Sequence, residues 1–92
     1  MIVYAEIECY LYGTQSLKQK RSLLRRLMSN IQKDFNVSIS EIDYQDLWQR
    51  TKLGVVTVSN DYTFSEKVIQ QVLKTIDQFS EIERTVTSVE RL

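Results

Sequence analysis

Apolar residues in this chain recur at every second position, then at every third or fourth, then at every second again, and the cycle runs twice in 92 residues. That alternation of periods constrains the fold more than any motif does. Period two marks a half-buried strand, and a period near 3.6 marks an amphipathic helix. In residues 2–12, Val3, Ala5, Ile7, Cys9 and Leu11 share one face, and Ile2, Tyr4, Glu6, Glu8, Tyr10 and Tyr12 share the other. Gly13 and Thr14 end this strand. Ser16 opens a helix, with Gln19 placed as in a capping box. Leu17, Leu24, Leu27, Met28, Ile31 and Phe35 form a stripe that carries the helix to Asp34 or Phe35. From Asn36 the period returns to two. Val37 and Ile39 share a face, Ile42 and Tyr44 are one residue out of phase, and a bulge is expected near Ser40–Glu41. Leu53–Ser59 is β-branched and apolar, a third strand and a central one, and Asn60–Asp61 is a turn signal. Thr63 and Glu66 form a second capping box. Phe64, Val68, Val72, Ile76 and Phe79 line a second helix, widened by Ile69 and Leu73, and residues 82–90 form the last strand.

The order β-α-β-β-α-β, closed by two interleaved right-handed crossovers, predicts an α+β ferredoxin-like sandwich. Its four-stranded antiparallel sheet has the first and third strands in the centre, both helices on one face, and the other face open. Residues 1–92 form a single domain on this reading.

Composition narrows the function. Without a histidine, Ser-His and Cys-His nucleophiles and histidine metal sites are all excluded. With glycine only at positions 13 and 54, no phosphate-binding loop or dinucleotide fingerprint can be written. Cys9, the sole cysteine, lies on the buried phase of the first strand and reads as a core residue. The N-terminal stretch lacks a basic leader and carries Glu6 and Glu8, so a signal peptide is not expected and a cytoplasmic location follows. No apolar run reaches a membrane span. No cofactor, no metal and no catalytic residue is predicted.

Net charge is zero, yet the charge is segregated. Residues 16–35 hold Lys18, Lys20, Arg21, Arg25, Arg26 and Lys33 against Asp34 alone, so this segment carries +5 (6 − 1), and the remainder carries −5 (6 − 11). Lys18, Arg21 and Arg25 fall within about 60° of one another around the helix. Cations crowd the helix start, where the helix dipole opposes them. They form either a phosphate site, with Lys18, Lys20, Arg21 and Arg25 as contacts, or a solvated face whose stems cover the core edge. On the open face Tyr4, Tyr10 and Tyr12 resemble a base-stacking surface, but Glu6 and Glu8 between them would repel phosphate. Val55 and Thr57 are the candidates for the same face on the third strand. Burial against a second copy is the favoured reading of that face.

The segment "DYQDLWQRTKLG", residues 43–54, holds the only tryptophan. Trp48 either anchors an interface or caps the apolar end of the sheet. Asp43, Asp46 and Glu41 lack the partners of a magnesium site. Arg50 and Lys52 are expected to neutralise them.

The runs "SLKQKRSLLRRL", "FNVSISEIDYQDLWQR" and "LGVVTVSND" resemble the YlxP-like family of bacterial proteins, a domain of unknown function, over nearly the whole chain. Ser16, Leu17, Lys18, Lys20 and Arg21 match its Ser-Leu-Lys-x-Lys-Arg run. Trp48, Gln49 and Arg50 match its Trp-Gln-Arg, and Val58, Ser59, Asn60 and Asp61 its Val-Ser-Asn-Asp. Gln15 stands where many relatives have a histidine. The resemblance implies a ferredoxin-like fold, often dimeric, in a genetic context of translation initiation and ribosome maturation. The expected function is therefore a non-enzymatic accessory protein. It would bind RNA or a ribosomal surface through Lys18, Lys20, Arg21 and Arg25, with Arg50 and Trp48 adjacent. The alternative is a homodimeric interaction or regulatory module that uses Tyr4, Tyr10, Tyr12 and Trp48.

Overall fold

The computed structural model describes all of residues 1–92, with strands β1 (Ile2–Leu11), β2 (Ser38–Asp43), β3 (Arg50–Val58) and β4 (Ile82–Arg91) and helices α1 (Leu17–Asp34) and α2 (Tyr62–Asp77). The sheet order is β2-β3-β1-β4, and every neighbouring pair is antiparallel. This is the ferredoxin-like sandwich. Val3, Ala5, Ile7, Cys9 and Leu11 are all fully buried, so the helix-covered face of β1 is the floor of the core. Leu23, Leu24, Leu27 and Ile31 descend onto it from α1, and Ile69, Val72, Leu73 and Ile76 from α2. Burying each such aliphatic side chain contributes about 1.5–3 kcal/mol, which makes this layer the main source of stability.

The start of α1 follows the predicted cap with one change of partner. Ser16 Oγ accepts from Gln19 N at 3.1 Å, but the Gln19 side chain accepts from Gln15 N, one residue before the cap, at 2.7 Å. The cap of α2 differs. Asp61, not Thr63, takes that place, and its carboxylate accepts from Thr63 N and Phe64 N. A carboxylate serving two amides at the positive end of a helix outcompetes a hydroxyl. Phe64, assigned to the core stripe, is exposed, and Ser65 is the buried residue of that turn.

β3 shows the largest departure. It begins at Arg50, three residues before the predicted start, and its phase is the reverse of the one expected. Thr57 stands opposite Val3 and Val55 opposite Ala5, so both point into the core. The open face of β3 instead carries Arg50, Lys52, Gly54, Val56 and Val58. Gly54 gives room there, because a Cβ would lie 3.1 Å from both Ile42 Cγ2 and the Tyr4 hydroxyl and those side chains would have to shift by a few tenths of an ångström. The bulge in β2 falls between Glu41 and Asp43, next to the predicted position, and it turns Ile42 onto the open face above Gly54.

Candidate functional site

Lys20 and Arg21 are neighbours in one basic run, and the fold sends them to opposite environments. Lys20 is 1% exposed. Its ammonium donates to the carbonyl oxygens of Tyr44, Leu47 and Arg50 at 2.6, 2.7 and 2.7 Å and lies 2.8 Å from Glu41 Oε2. This corrects its assignment as a phosphate contact, since no ligand reaches it. A buried ammonium is tolerated only when its donors are satisfied, and here the β2–β3 loop (residues 44–49) wraps around it to supply the acceptors. Glu41 also accepts from Thr51 Oγ1 at 2.6 Å, so its carboxylate is committed on both sides.

The loop has three further constraints. Tyr44 adopts φ 63°, a left-handed conformation that a bulky residue adopts at a cost of roughly 1–2 kcal/mol. Thr14 Oγ1 donates to the Trp48 carbonyl at 2.7 Å, and Leu11 N donates to the Gln49 carbonyl at 2.9 Å. The loop is thus pinned from α1, from the β1–α1 connection and from the end of β1. Trp48 nonetheless remains 53% exposed and Leu47 46% exposed, so Trp48 does not cap the sheet by burial. Arg50 does not neutralise Asp43 or Asp46. Its guanidinium lies 4.0 Å from the Tyr44 ring centre and bonds Glu8 at 3.0 Å. Lys52 likewise pairs with Glu6, at 3.1 Å, and not with the loop acids. Asp43 accepts from Tyr44 N at 2.7 Å.

The tyrosines separate. Tyr4 is half-buried, donates to Glu6 at 2.9 Å and packs over Gly54, which takes it out of the expected exposed set. Burial, then the bond to Glu6, raises its phenol pKa. Bonds from Lys52 and then Tyr4 hold the Glu6 carboxyl below its usual range. Glu6 and Glu8 are thus each paired with a cation of β3. Tyr10 and Tyr12 are exposed and meet edge-to-face at 4.8 Å, and Tyr12 donates to Glu83 at 3.2 Å.

Lys18, Arg21 and Arg25 are exposed along one flank of α1, and none lies within ion-pair distance of a carboxylate. Arg26 differs, being bonded to Glu81. Arg21 and Arg25 line a groove of about 380 Å³ whose floor is Leu24, Met28 and Ile39. The structure therefore brings together Lys18, Arg21 and Arg25, and it sets Trp48 and Arg50 at the same end of the sandwich, through the Thr14–Trp48 bond. The burial of Lys20, though not its partners, is written in the spacing. Leu17, Lys20, Leu24, Leu27 and Ile31 follow steps of three and four, so a lysine stands in the buried stripe.

A family model described as "Protein of unknown function (DUF503)" matches residues 2–89. The uncharacterized protein YlxP of Bacillus subtilis (strain 168) is 53% identical over 90 residues, which cover 98% of each chain. A crystal structure of a C-terminal segment of the alpha subunit of aIF2 from Pyrococcus abyssi matches all of this chain and 50% of that one, with a TM-score of 0.55 and 16% identity. At that identity the likeness is one of fold alone. No helix of the chain is long and apolar enough to cross a membrane.

Proposed function

The chain belongs to the DUF503 family, and from that premise we propose that it is a non-enzymatic cytoplasmic accessory protein that binds RNA or a ribonucleoprotein surface in translation or ribosome maturation. One observation carries this reading: Lys18, Arg21 and Arg25 share a flank of α1 with no carboxylate within ion-pair distance, and Glu41 in the groove beside Arg21 and Arg25 is bonded to Lys20, while Lys20 and Arg26 of the same run are engaged within the protein. Lys18 stands in the first turn of α1, where the helix dipole also favours an anion, and Arg21 and Arg25 extend that flank one and two turns on. The aIF2 segment shares the fold and carries no role across.

Phosphate binding through three cations gives affinity that falls with salt, with a slope near −2 to −3 in log affinity against log salt, about one unit per contact. The triple variant Lys18→Glu, Arg21→Glu, Arg25→Glu should abolish co-sedimentation with ribosomal subunits and retention of structured RNA at low salt. Unchanged co-sedimentation would remove the proposal. Lys20 is left alone in this test because its substitution disturbs the fold.

A second reading, a homodimeric interaction module, has its own support in Val86, Ile42 and Tyr10, which are 57, 40 and 37% exposed on the open face. Light scattering separates the two, since a monomer at every concentration removes the dimer.

A further inference from the structure

The β2–β3 loop combines features that a simple connection does not need. It buries an ammonium to fix its carbonyls and it holds an aromatic residue in a left-handed conformation. It also keeps the chain's one indole in solvent. Backbone strain at a position with such support is a pointer to function. Tyr10, Asp46, Leu47, Trp48, Gln49 and Arg50 together line a shallow depression of about 530 Å³. Its walls are largely apolar, and its rim holds an acceptor, since the Asp46 carboxylate makes no ion pair or hydrogen bond within the chain.

We propose that this loop is a receptor for one unpaired nucleotide, with the base lying on the Trp48 indole and the flanking phosphates held by Lys18 and Arg21 at the adjacent start of α1. The inference rests on the RNA-binding reading above and names the part of the RNA that is recognised. Three arguments support it. An exposed indole offers a flat apolar surface to any base, and base–aromatic stacking tolerates all sequences. Asp46 is the wrong group for a phosphate and the right one for a base, because a carboxylate accepts from the amino and imino groups of a base edge. The charge is complementary, because the connection that bonds the Trp48 carbonyl through Thr14 leads directly into the helical turn carrying Lys18, and Lys18 and Arg21 have no partner in the chain. Lys20 serves as a positioning residue. It touches no ligand, and it fixes the loop before binding, so little ordering remains to oppose association.

The test uses the full chain and three labelled RNAs: a hairpin with an unpaired loop, the same stem as a blunt duplex, and the hairpin with abasic loop positions. Anisotropy reports binding, and the emission of the single tryptophan reports contact with Trp48. The hairpin should quench that emission and the other two should not. Trp48→Ala should weaken hairpin binding about tenfold and leave its salt slope unchanged, while Trp48→Phe keeps most of the affinity. Trp48 is half in solvent, so both variants retain the fold, and circular dichroism checks this. Hairpin binding with unmoved emission and full affinity in Trp48→Ala would overturn the inference and leave RNA binding standing. Equal quenching by the abasic RNA, or a dimer that Trp48→Ala dissociates, would also overturn it. Failure of all three RNAs to bind at low salt would overturn both.

Discussion

The two ends of the sandwich satisfy their turning backbone in opposite ways. At the β3–α2 end, the helix is capped from within a few residues, and the Met1 carbonyl beside the start of β1 accepts from Ser59 N and Ser65 Oγ at 3.1 and 3.2 Å. Asp61 caps the helix through Thr63 N and Phe64 N, Ser59 Oγ bonds the Asp61 carbonyl at 2.7 Å, and Ser59 and Ser65 share a hydroxyl contact at 2.6 Å. At the β2–β3 end, the loop carbonyls turn to Lys20, which lies 24, 27 and 30 residues away from them in the chain. The first end takes its helix cap from its own sequence and leans otherwise on the residue that leads into the neighbouring strand β1. The second takes shape only when α1 has docked, and it presents Trp48 and Leu47 to solvent. A turn capped locally and closed by an adjoining strand has no need of a distant helix. A turn organised from a distance has its shape set independently of its own side chains, which are then free to face a partner.

Substitution tests this contrast most severely at Lys20. Lys20→Met should lower unfolding free energy in urea by about 3–5 kcal/mol, because three carbonyls and Glu41 lose their donor together. Against a total of roughly 5–15 kcal/mol for a domain, that is a large fraction. Amide exchange should accelerate at the β2–β3 loop and not at the β3–α2 turn. A loss under about 1 kcal/mol would show that the loop holds itself. Asp61→Ala should cost about 1 kcal/mol, the usual value of a helix cap, and leave RNA affinity unchanged. A loss of affinity there would erase the distinction between the ends.

Acid should not distinguish them. Bonds from Arg84 and Arg26 hold the Asp77 and Glu81 carboxyls low near the loop end, and the bond from Arg91 holds Glu66 low at the other. A carboxyl whose pKa falls on folding stabilises above its unfolded value, and that contribution disappears as pH drops through the folded value. The melting temperature should therefore be flat near neutrality and fall below about pH 4. Arg84→Gln and Arg91→Gln should each flatten that fall slightly, and flattening by only one would localise acid sensitivity to a single end. The smallest effect is expected in the core, at Cys9 of the central strand β1. Burial pushes its thiol up to about 12. A thiol reagent at pH 8 should leave it unmodified until denaturant is added, and native labelling would show that the central strand opens.

The fold was legible because β1 and α1 have clean periods. Buried Val3 to Leu11 alternate without exception, and the α1 stripe is interrupted only by Lys20. The phase of β3 was not legible, because Val55 and Val56 are both apolar and hydrophobicity alone does not say which of two adjacent valines faces in. Phe64 misled for a related reason. A large apolar residue in a first turn reads as core, yet the small Ser65 is the buried one, bonded to Ser59 and the Met1 carbonyl, and Phe64 faces solvent. The basic run was legible as a cluster and not as individuals. Lys18, Arg21 and Arg25 lie outside ion-pair distance of any carboxylate, while Lys20 answers to carbonyls in a loop whose path only tertiary structure defines. The partners of Arg50 and Lys52 were missed similarly, because their pairing with Glu8 and Glu6 is a diagonal contact across strands distant in sequence.

Lys20 and Arg26 pair with Glu41 and Glu81, but Lys18, Arg21 and Arg25 stay unpaired on one flank of α1, so a chain of zero net charge has an uneven surface charge. With a sequence isoelectric point of about 6.2, its solubility should be lowest near that pH. Moderate salt should raise that solubility by screening the attraction between unlike charges on neighbouring molecules. At neutral pH and low ionic strength the same unevenness should retard it on cation- and anion-exchange resins alike, each resin holding the surface of opposite sign.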